Sequence, residues 1–241
     1  MKRLELDAGN TFIKWRLLDE ERVLERGRWL TAEFAAEQLL ACRQPPSEVW
    51  LASVAGEGLN QVLAEGVERC WQVPLRRALT VAEAAGVRNS YEDPSRMGVD
   101  RWLAMLAAWN RVGQSCCVVD CGSAITVDLL DAEGCHQGGY ILPGIRLMQQ
   151  SLLGNTAEVR VDRDVVHPSV APGCDTSSAV AHGANLLLLA LAQQLHAGIP
   201  GLAAPARILV TGGDGAQLME LMPGAELCPD LVMDGLRWAL E

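Results

Sequence analysis

Several things are missing from this 241-residue sequence, and each absence removes a class of function. There is no excess of positive charge: 20 Lys and Arg stand against 30 Asp and Glu, for a formal net charge of −10. So acidic a chain offers no electrostatic footprint for phosphate backbones or anionic lipid, which argues against nucleic-acid and membrane partners. No apolar run approaches the length of a bilayer span; the run from Leu186 to Ala192 is far too short. The opening Met1-Lys2-Arg3-Leu4-Glu5-Leu6-Asp7 meets acidic residues before a signal-peptide apolar region can form, so a cytoplasmic location is expected. No CxxC pair occurs among the eight Cys, at 42, 70, 116, 117, 121, 135, 174 and 228. Their scatter through apolar runs is that of free thiols used as small hydrophobes in a reducing compartment, not of a disulfide framework. The four His, at 136, 167, 182 and 196, lack metal-ligand spacing.

What is present is an ordinary globular composition. With 49% apolar and 21% charged residues, the chain can bury a sizeable core as one large domain or two small ones, and disorder is excluded as its main state.

Periodicity then divides the chain into α/β elements. Leu4 to Leu6 and Phe12 to Leu18 alternate about the turn-forming Asp7-Ala8-Gly9-Asn10, which predicts a hairpin. Thr31 is expected to cap a helix over Ala32 to Cys42, stopped by Pro45-Pro46. A strand over Val49 to Val54, a helix through Leu59, Leu63 and Cys70, and a short strand over Trp71 to Leu75 follow. Ala78 to Met97 reads as loop, and Val99 to Asn110 as helix. Strands are expected at Cys116 to Val119, Ile125 to Leu130, Cys135 to Leu142 and Arg207 to Thr211. Helices are expected from Ile145, over Ser177 to Gln194, over Gly215 to Met222 and over Met233 to Leu240. The Ser177 to Gln194 helix is apolar nearly all round and should be buried in a core or a subunit contact.

An internal repeat runs through this pattern. Leu6-Asp7-Ala8-Gly9-Asn10 and Val119-Asp120-Cys121-Gly122-Ser123 share a strand, Asp-x-Gly and a small polar residue. Each leads into a strand ending Leu-Leu-Asp, at Leu17-Leu18-Asp19 and, one residue closer, at Leu129-Leu130-Asp131. The expected division is therefore into two similar domains, 1–114 and 115–241. One Asp-x-Gly turn alone is an ordinary hairpin signal; two copies heading two halves point to a shared task.

Such a turn presents backbone N–H groups, and its small residues let phosphate approach them. A carboxylate at its mouth suits Mg²⁺, which keeps several waters and takes one or two carboxylates with substrate phosphates. Asn10 and Thr11 add hydrogen-bonding side chains, and Lys14 brings a point charge to the same side. Facing turns of this kind would clamp a polyphosphate and let an acidic protein hold ATP. Asp100 follows Gly98 where a helix begins; by itself it reads as a first-turn acid, or as a base near an acceptor hydroxyl.

In order, the motifs Asp7-x-Gly9-Asn10-Thr11-x-x-Lys14, Gly98-x-Asp100-Arg101-Trp102, Asp120-x-Gly122-Ser123-x-x-Thr126, Gly139-Tyr140-Ile141-Leu142-Pro143-Gly144, Thr176 before an Ala-rich helix, and Thr211-Gly212-Gly213 resemble those of the type III pantothenate kinases. The resemblance covers essentially the whole chain. It implies the actin/hexokinase-like fold of two ribonuclease-H-like domains with an interdomain nucleotide cleft. It further implies ATP-dependent phosphorylation of pantothenate, a homodimer, Mg²⁺, and a monovalent cation, K⁺ or NH₄⁺.

Carried over residue by residue, Asp7-Ala8-Gly9-Asn10-Thr11-Phe12-Ile13-Lys14 would form the first ATP-binding loop, with Asp7 on Mg²⁺ directly or through water. Asp120 would bind the monovalent cation and Ser123 the ATP phosphate, Ser standing where the family usually has Thr. Gly212 and Gly213 would lie against the adenosine. Tyr91, Gly98, Val99, Asp100, Arg101 and Thr176 would bind pantothenate, with Asp100 the catalytic base and Trp102 a candidate wall of the acceptor pocket. Two rivals stand beside this reading: a sugar or polyol kinase of the same fold, and a nucleotide-binding regulator without turnover.

Overall fold

The computed structural model describes residues 1–156, 158–165, 169–199, 202 and 204–241, which fall into two compact units. The first begins with strands β1 (Lys2–Ala8), β2 (Phe12–Asp19) and β3 (Arg22–Leu30). After two 3₁₀ turns come β4 (Glu48–Ser53), helix α1 (Glu57–Trp71) and β5 (Leu75–Arg77). A two-residue hairpin, β6 (Glu83–Ala84) with β7 (Val87–Arg88), precedes α2 (Val99–Val112). Ala85 and Gly86 between those strands both have positive φ, as a primed hairpin turn requires.

The second unit contains β8 (Cys116–Cys121), β9 (Ala124–Leu130), β10 (His136–Pro143), α3 (Ile145–Asn155) and α4 (Thr176–Ala197). It ends with β11 (Arg207–Thr211), α5 (Gly215–Leu221) and β12 (Glu226–Leu227). Helix α6 (Leu231–Leu240) closes the chain.

The repeat read from the turns extends to the whole sheet. The first unit has strand order β3-β2-β1-β4-β5 and the second β10-β9-β8-β11-β12. In each, the first three strands pair antiparallel and the last two join in parallel. The turns differ by one residue: Asp7 lies opposite Lys14, seven positions on, and Asp120 opposite Thr126, six positions on. That difference is why the second Leu-Leu-Asp comes one residue sooner.

Strand alternation sets the cores. Leu4, Leu6 and Ala8 point into a cluster with Leu17, Leu51 and Leu63, while Arg3, Glu5 and Asp7 take the other face. In the second unit Val119, Val127, Leu188, Ile208 and Val210 form the corresponding cluster.

The structure departs from the sequence reading at several points. Units Met1–Arg111 with Asp230–Glu241, and Val112–Pro229, replace the simple division at 114/115. The terminal helix joins the first unit because Gly235 lies against the Leu103 backbone, where a Cβ would collide, and because Arg16 binds Asp234 at 2.7 Å. The α-helix expected over Ala32 to Cys42 is two 3₁₀ turns, Thr31–Glu33 and Ala36–Ala41. Thr31 does not cap them, because its hydroxyl donates to Gly9 O at 2.8 Å.

Strand β3 was not expected: Arg22, Glu25, Arg26 and Arg28 hide its alternation, as befits a charged sheet edge. Gly27 within it makes room for the Trp15 ring, which would lie 2.8 Å from a Cβ there. The strand expected over Trp71 to Leu75 begins only at Leu75, since α1 continues through Trp71. Helix α4 buries Leu188, Ala192 and Leu195 but leaves Leu186 and Leu187 exposed. Among the described residues, no helix is long and apolar enough to cross a membrane.

Candidate functional site

In the first unit the site is built at the carboxyl ends of β1 and β4, the end where ligands bind in open α/β sheets. Asp7 and Lys14 are direct cross-strand partners, so both side chains project from one face. The turn between them is closed by Gly9 N–H donating to Phe12 O at 3.0 Å. Asn10 is exposed and Gly9, Thr11 and Phe12 are half-buried, whereas Ala8 and Ile13 are wholly buried. Ala8 and Ile13 therefore offer a ligand no side chain, and Gly9 has none to offer. Val54 N–H donates to Ala8 O at 3.1 Å, bringing the chain leaving β4 alongside the turn.

Asp100 lies in the first turn of α2, and its Oδ1 accepts from Arg101 N–H at 2.8 Å. Gly98 leaves space for this carboxylate: a Cβ at 98 would sit 2.5 Å from Asp100 Oδ1 and 3.9 Å from Val54 Cγ1. Through Val54, Gly98 and Asp100 belong to the sheet end that carries the Asp7 turn. Arg101 is buried rather than in a surface ion pair; its Nη1 donates to Tyr91 Oη at 2.9 Å, with the guanidinium 5.7 Å from the Tyr91 ring centre. Tyr91, Gly98, Asp100 and Arg101 are thus drawn together, and Val99 beside them is buried.

Trp102, by contrast, is fully buried in the core, which rules it out as a wall of an acceptor pocket. Sequence reading passed over Asn89, whose Oδ1 accepts from Tyr91 N–H at 2.9 Å, and Thr80, whose hydroxyl donates to Met97 O at 3.0 Å. These two bonds shape the loop that presents Tyr91. The turn-rich run Asn89-Ser90-Tyr91 is a local signal for Asn89 alone; Thr80, bonded seventeen positions on, has none.

In the second unit Asp120, the last residue but one of β8, lies between Thr126 of β9 and Thr211 of β11. Gly122 N–H donates to Ala124 O at 2.9 Å, and Ser123 at the tip is exposed. Gly212 has φ +90, and a Cβ there would collide with Cys121 O and Asp120 Oδ1, so only glycine lets the two chain segments approach this closely. Asp214 N–H donates to Cys121 O at 2.9 Å, and Gly213 is exposed. Asp120, Ser123, Gly212 and Gly213 therefore converge on one sheet end.

Thr176 is carried on a different element, as the exposed first residue of α4. There it lines a groove of about 1040 Å³ with Leu152, Gly173, Val180 and Leu187. Asp175 caps that helix: Ser178 N–H donates to its Oδ1 at 2.8 Å, and this bond, with Arg163 at 2.6 Å, holds its carboxyl down at about 2.

Cys121 is no nucleophile: burial, with Asp120 and Asp214 adding to it, pushes its thiol up to about 12. His136 is locked to Asp128 at 3.0 Å in the protein interior, and His167 lies outside the described residues. Among the described residues, no group of three or more His, Cys, Asp or Glu gathers to cage a metal. Each turn instead offers one carboxylate, Asp7 or Asp120, which fits a hard cation that completes its shell with water and phosphate oxygens.

The model of the type III pantothenate kinase family matches residues 3–197. A type III pantothenate kinase of Pseudomonas aeruginosa (strain LESB58) is 36% identical over 242 residues, covering 98% of each chain. One from Pseudomonas putida (strain F1) is 38% identical over 250 residues, again covering 98% of each. Among solved structures, a Campylobacter jejuni protein provisionally described as a Baf family transcriptional activator aligns with a TM-score of 0.63 at 21% identity, over 97% of this chain and 95% of that one. The activator of 2-hydroxyisocaproyl-CoA dehydratase from Clostridium difficile, solved with ADPNP, aligns with a TM-score of 0.51 at 11% identity, over 100% and 93%. At these identities the structures speak to fold alone, and the fold is the actin/hexokinase-like one.

Proposed function

The chain belongs to the type III pantothenate kinase family, and from that premise we propose that it transfers the γ-phosphoryl group of ATP to pantothenate, giving 4′-phosphopantothenate for coenzyme A synthesis. The observation that carries the assignment to residues is the Asp100 carboxylate. It is given room by Gly98, fixed on one oxygen by Arg101 N–H, and flanked by the Tyr91–Arg101 pair.

Asp100 takes the proton of the primary hydroxyl as that oxygen bonds to the γ-phosphorus in line, and the bond from phosphorus to the β,γ-bridging oxygen breaks to release ADP. Arg101, held by Tyr91, supplies fixed positive charge to the anionic acceptor. In the first unit the turn amides and Lys14 bind phosphate oxygens, and Asp7 holds Mg²⁺ directly or through water. In the second, Ser123 binds phosphate, Gly212 and Gly213 flank the adenosine, and Asp120 holds K⁺ or NH₄⁺. When bound, the cations neutralise charge on the transferring phosphoryl group. Thr176 contributes to acceptor binding.

The exposed Leu186 and Leu187 on an otherwise apolar helix support a homodimer, because a second copy would bury them. The protein is expected to work in the cytoplasm. The test is direct: purified protein with ATP, Mg²⁺ and K⁺ should convert pantothenate and leave sugars and polyols untouched. Absence of turnover on pantothenate would overturn the proposal.

A further inference from the structure

The residue that follows the third strand of each unit reaches back to the glycine turn. After β10, Gly144 N–H donates to Ser123 O at 3.1 Å; after β3, Thr31 N–H donates to Thr11 O at 3.0 Å. These positions correspond, since Leu30 pairs with Phe12 as Pro143 pairs with Ala124. The two braces differ where the turns differ. In the shorter second turn the brace must be glycine, because a Cβ at 144 would collide with Gly122 O and Ser123 O. The first turn holds one more residue, and there the brace is Thr31, whose hydroxyl donates to Gly9 O at 2.8 Å.

Thr31 therefore grips the first turn at two carbonyls, Gly9 O and Thr11 O, on either side of the exposed Asn10. Both bonds draw carbonyl oxygens toward Thr31. A carbonyl turned toward phosphate would repel it, while the turn amides attract it.

We propose that Thr31 is a positioning residue for the nucleotide. Its hydroxyl fixes the longer turn with the Gly9 and Thr11 carbonyls drawn toward Thr31, leaving turn amides other than that of Gly9, which is spent on Phe12 O, to meet ATP phosphate. This inference rests on the reading of the Asp7 to Lys14 turn as a phosphate loop. Thr31 touches no reactant; it acts through Gly9 and Thr11.

The experiment compares T31V, which keeps the shape and loses the hydroxyl bond, with T31A as a second variant lacking that bond and T31S, which retains it. K14M serves as a probe of the loop itself. Loss of one hydrogen bond predicts a KM for ATP raised roughly five- to tenfold in T31V and T31A, with the KM for pantothenate within about twofold of wild type and T31S restored. An unchanged KM for ATP in T31V or T31A, equal rises in both KM values, or T31S as impaired as T31V would overturn the inference while leaving the pantothenate kinase reading intact. If K14M also leaves the KM for ATP unchanged, the loop is not the nucleotide site and the positioning role falls with it. Should T31V not fold, T31A and T31S decide between these outcomes.

Discussion

Replacing Asp100 by Asn separates chemistry from architecture at this site. Asp100 Oδ1 accepts the Arg101 N–H at 2.8 Å, and Gly98 presents no Cβ to it, so an Asn can keep its carbonyl oxygen in the same place and preserve the first turn of α2. What it loses is the second carboxylate oxygen as a proton acceptor, because an amide nitrogen donates instead. Folding should change little, within about 0.5 kcal/mol. General base catalysis is worth about 10²- to 10⁴-fold. A kcat reduced roughly 10²- to 10³-fold, about 3 to 4 kcal/mol of transition-state stabilisation, is therefore expected. Both KM values should stay within a fewfold, since Arg101 keeps its bond to Tyr91. The assay is steady-state ADP release with pantothenate as acceptor, accompanied by a thermal melt of each variant. A D100N enzyme turning over within threefold of wild type would refute the base assignment. A matching collapse of the melt would refute the claim that Asn fits.

Gly212→Ala places a Cβ against Cys121 O and Asp120 Oδ1 at φ +90, and should cost about 2 to 4 kcal/mol, seen as a thermal midpoint roughly 5 to 10 °C lower; an unchanged midpoint would count against the cradle. Asp175 is held at about 2, below its ordinary 3.8, first by the Ser178 N–H and then by Arg163. A depressed carboxyl stabilises the folded state above the unfolded value, and that contribution is lost as pH falls from about 4 through about 2. Carboxyl-carbon NMR should give a midpoint near 2 for Asp175, and a midpoint near 4 would remove the cap from the account. Burial raises the thiols of Cys116 and Cys121 to about 12 and Cys42 to about 11, while Cys174 is exposed. Thiol reagents near pH 8 should therefore label Cys174 in the native protein and reach Cys116, Cys121 and Cys42 only on unfolding; equal rates at Cys121 and Cys174 would contradict this.

The two glycine turns were legible because strand alternation and Asp-x-Gly chemistry act locally. Asp7, Lys14, Asp120 and Ser123 fall where period and turn place them. Asp100 was legible as a helix-start acid; its role came from resemblance and not from its position. Strand β3 was not legible, since a charged edge strand keeps its alternation only on the side that Trp15 and Trp29 cover, where their rings stack at 5.3 Å. Thr31 was misread for a related reason. A Thr before an Ala-rich run is a good helix cap by local rules, but here its hydroxyl serves a turn some twenty residues earlier, a partner that no local rule reveals. Trp102 beside the Asp100-Arg101 pair suggested a pocket wall, yet one helical step turns it fully into the core.

The return of α6 to the first unit has a consequence for how the protein is made. Glu5 is 1% exposed, and Arg16, which grips it at 2.7 Å, also binds Asp234 from the last helix. Synthesis runs from β1 and β2 toward α6, so the charged face they carry is completed only by a residue made 218 positions after Arg16. The second unit, contiguous in sequence, can close before the first is finished. Its closure precedes a search over the longest sequence separations in the chain, which are entropically costly and slow to form. A chain cut after residue 229 would thus hold every strand of the second unit but lack the Asp234 that binds Arg16, which makes that bond a late step in assembly.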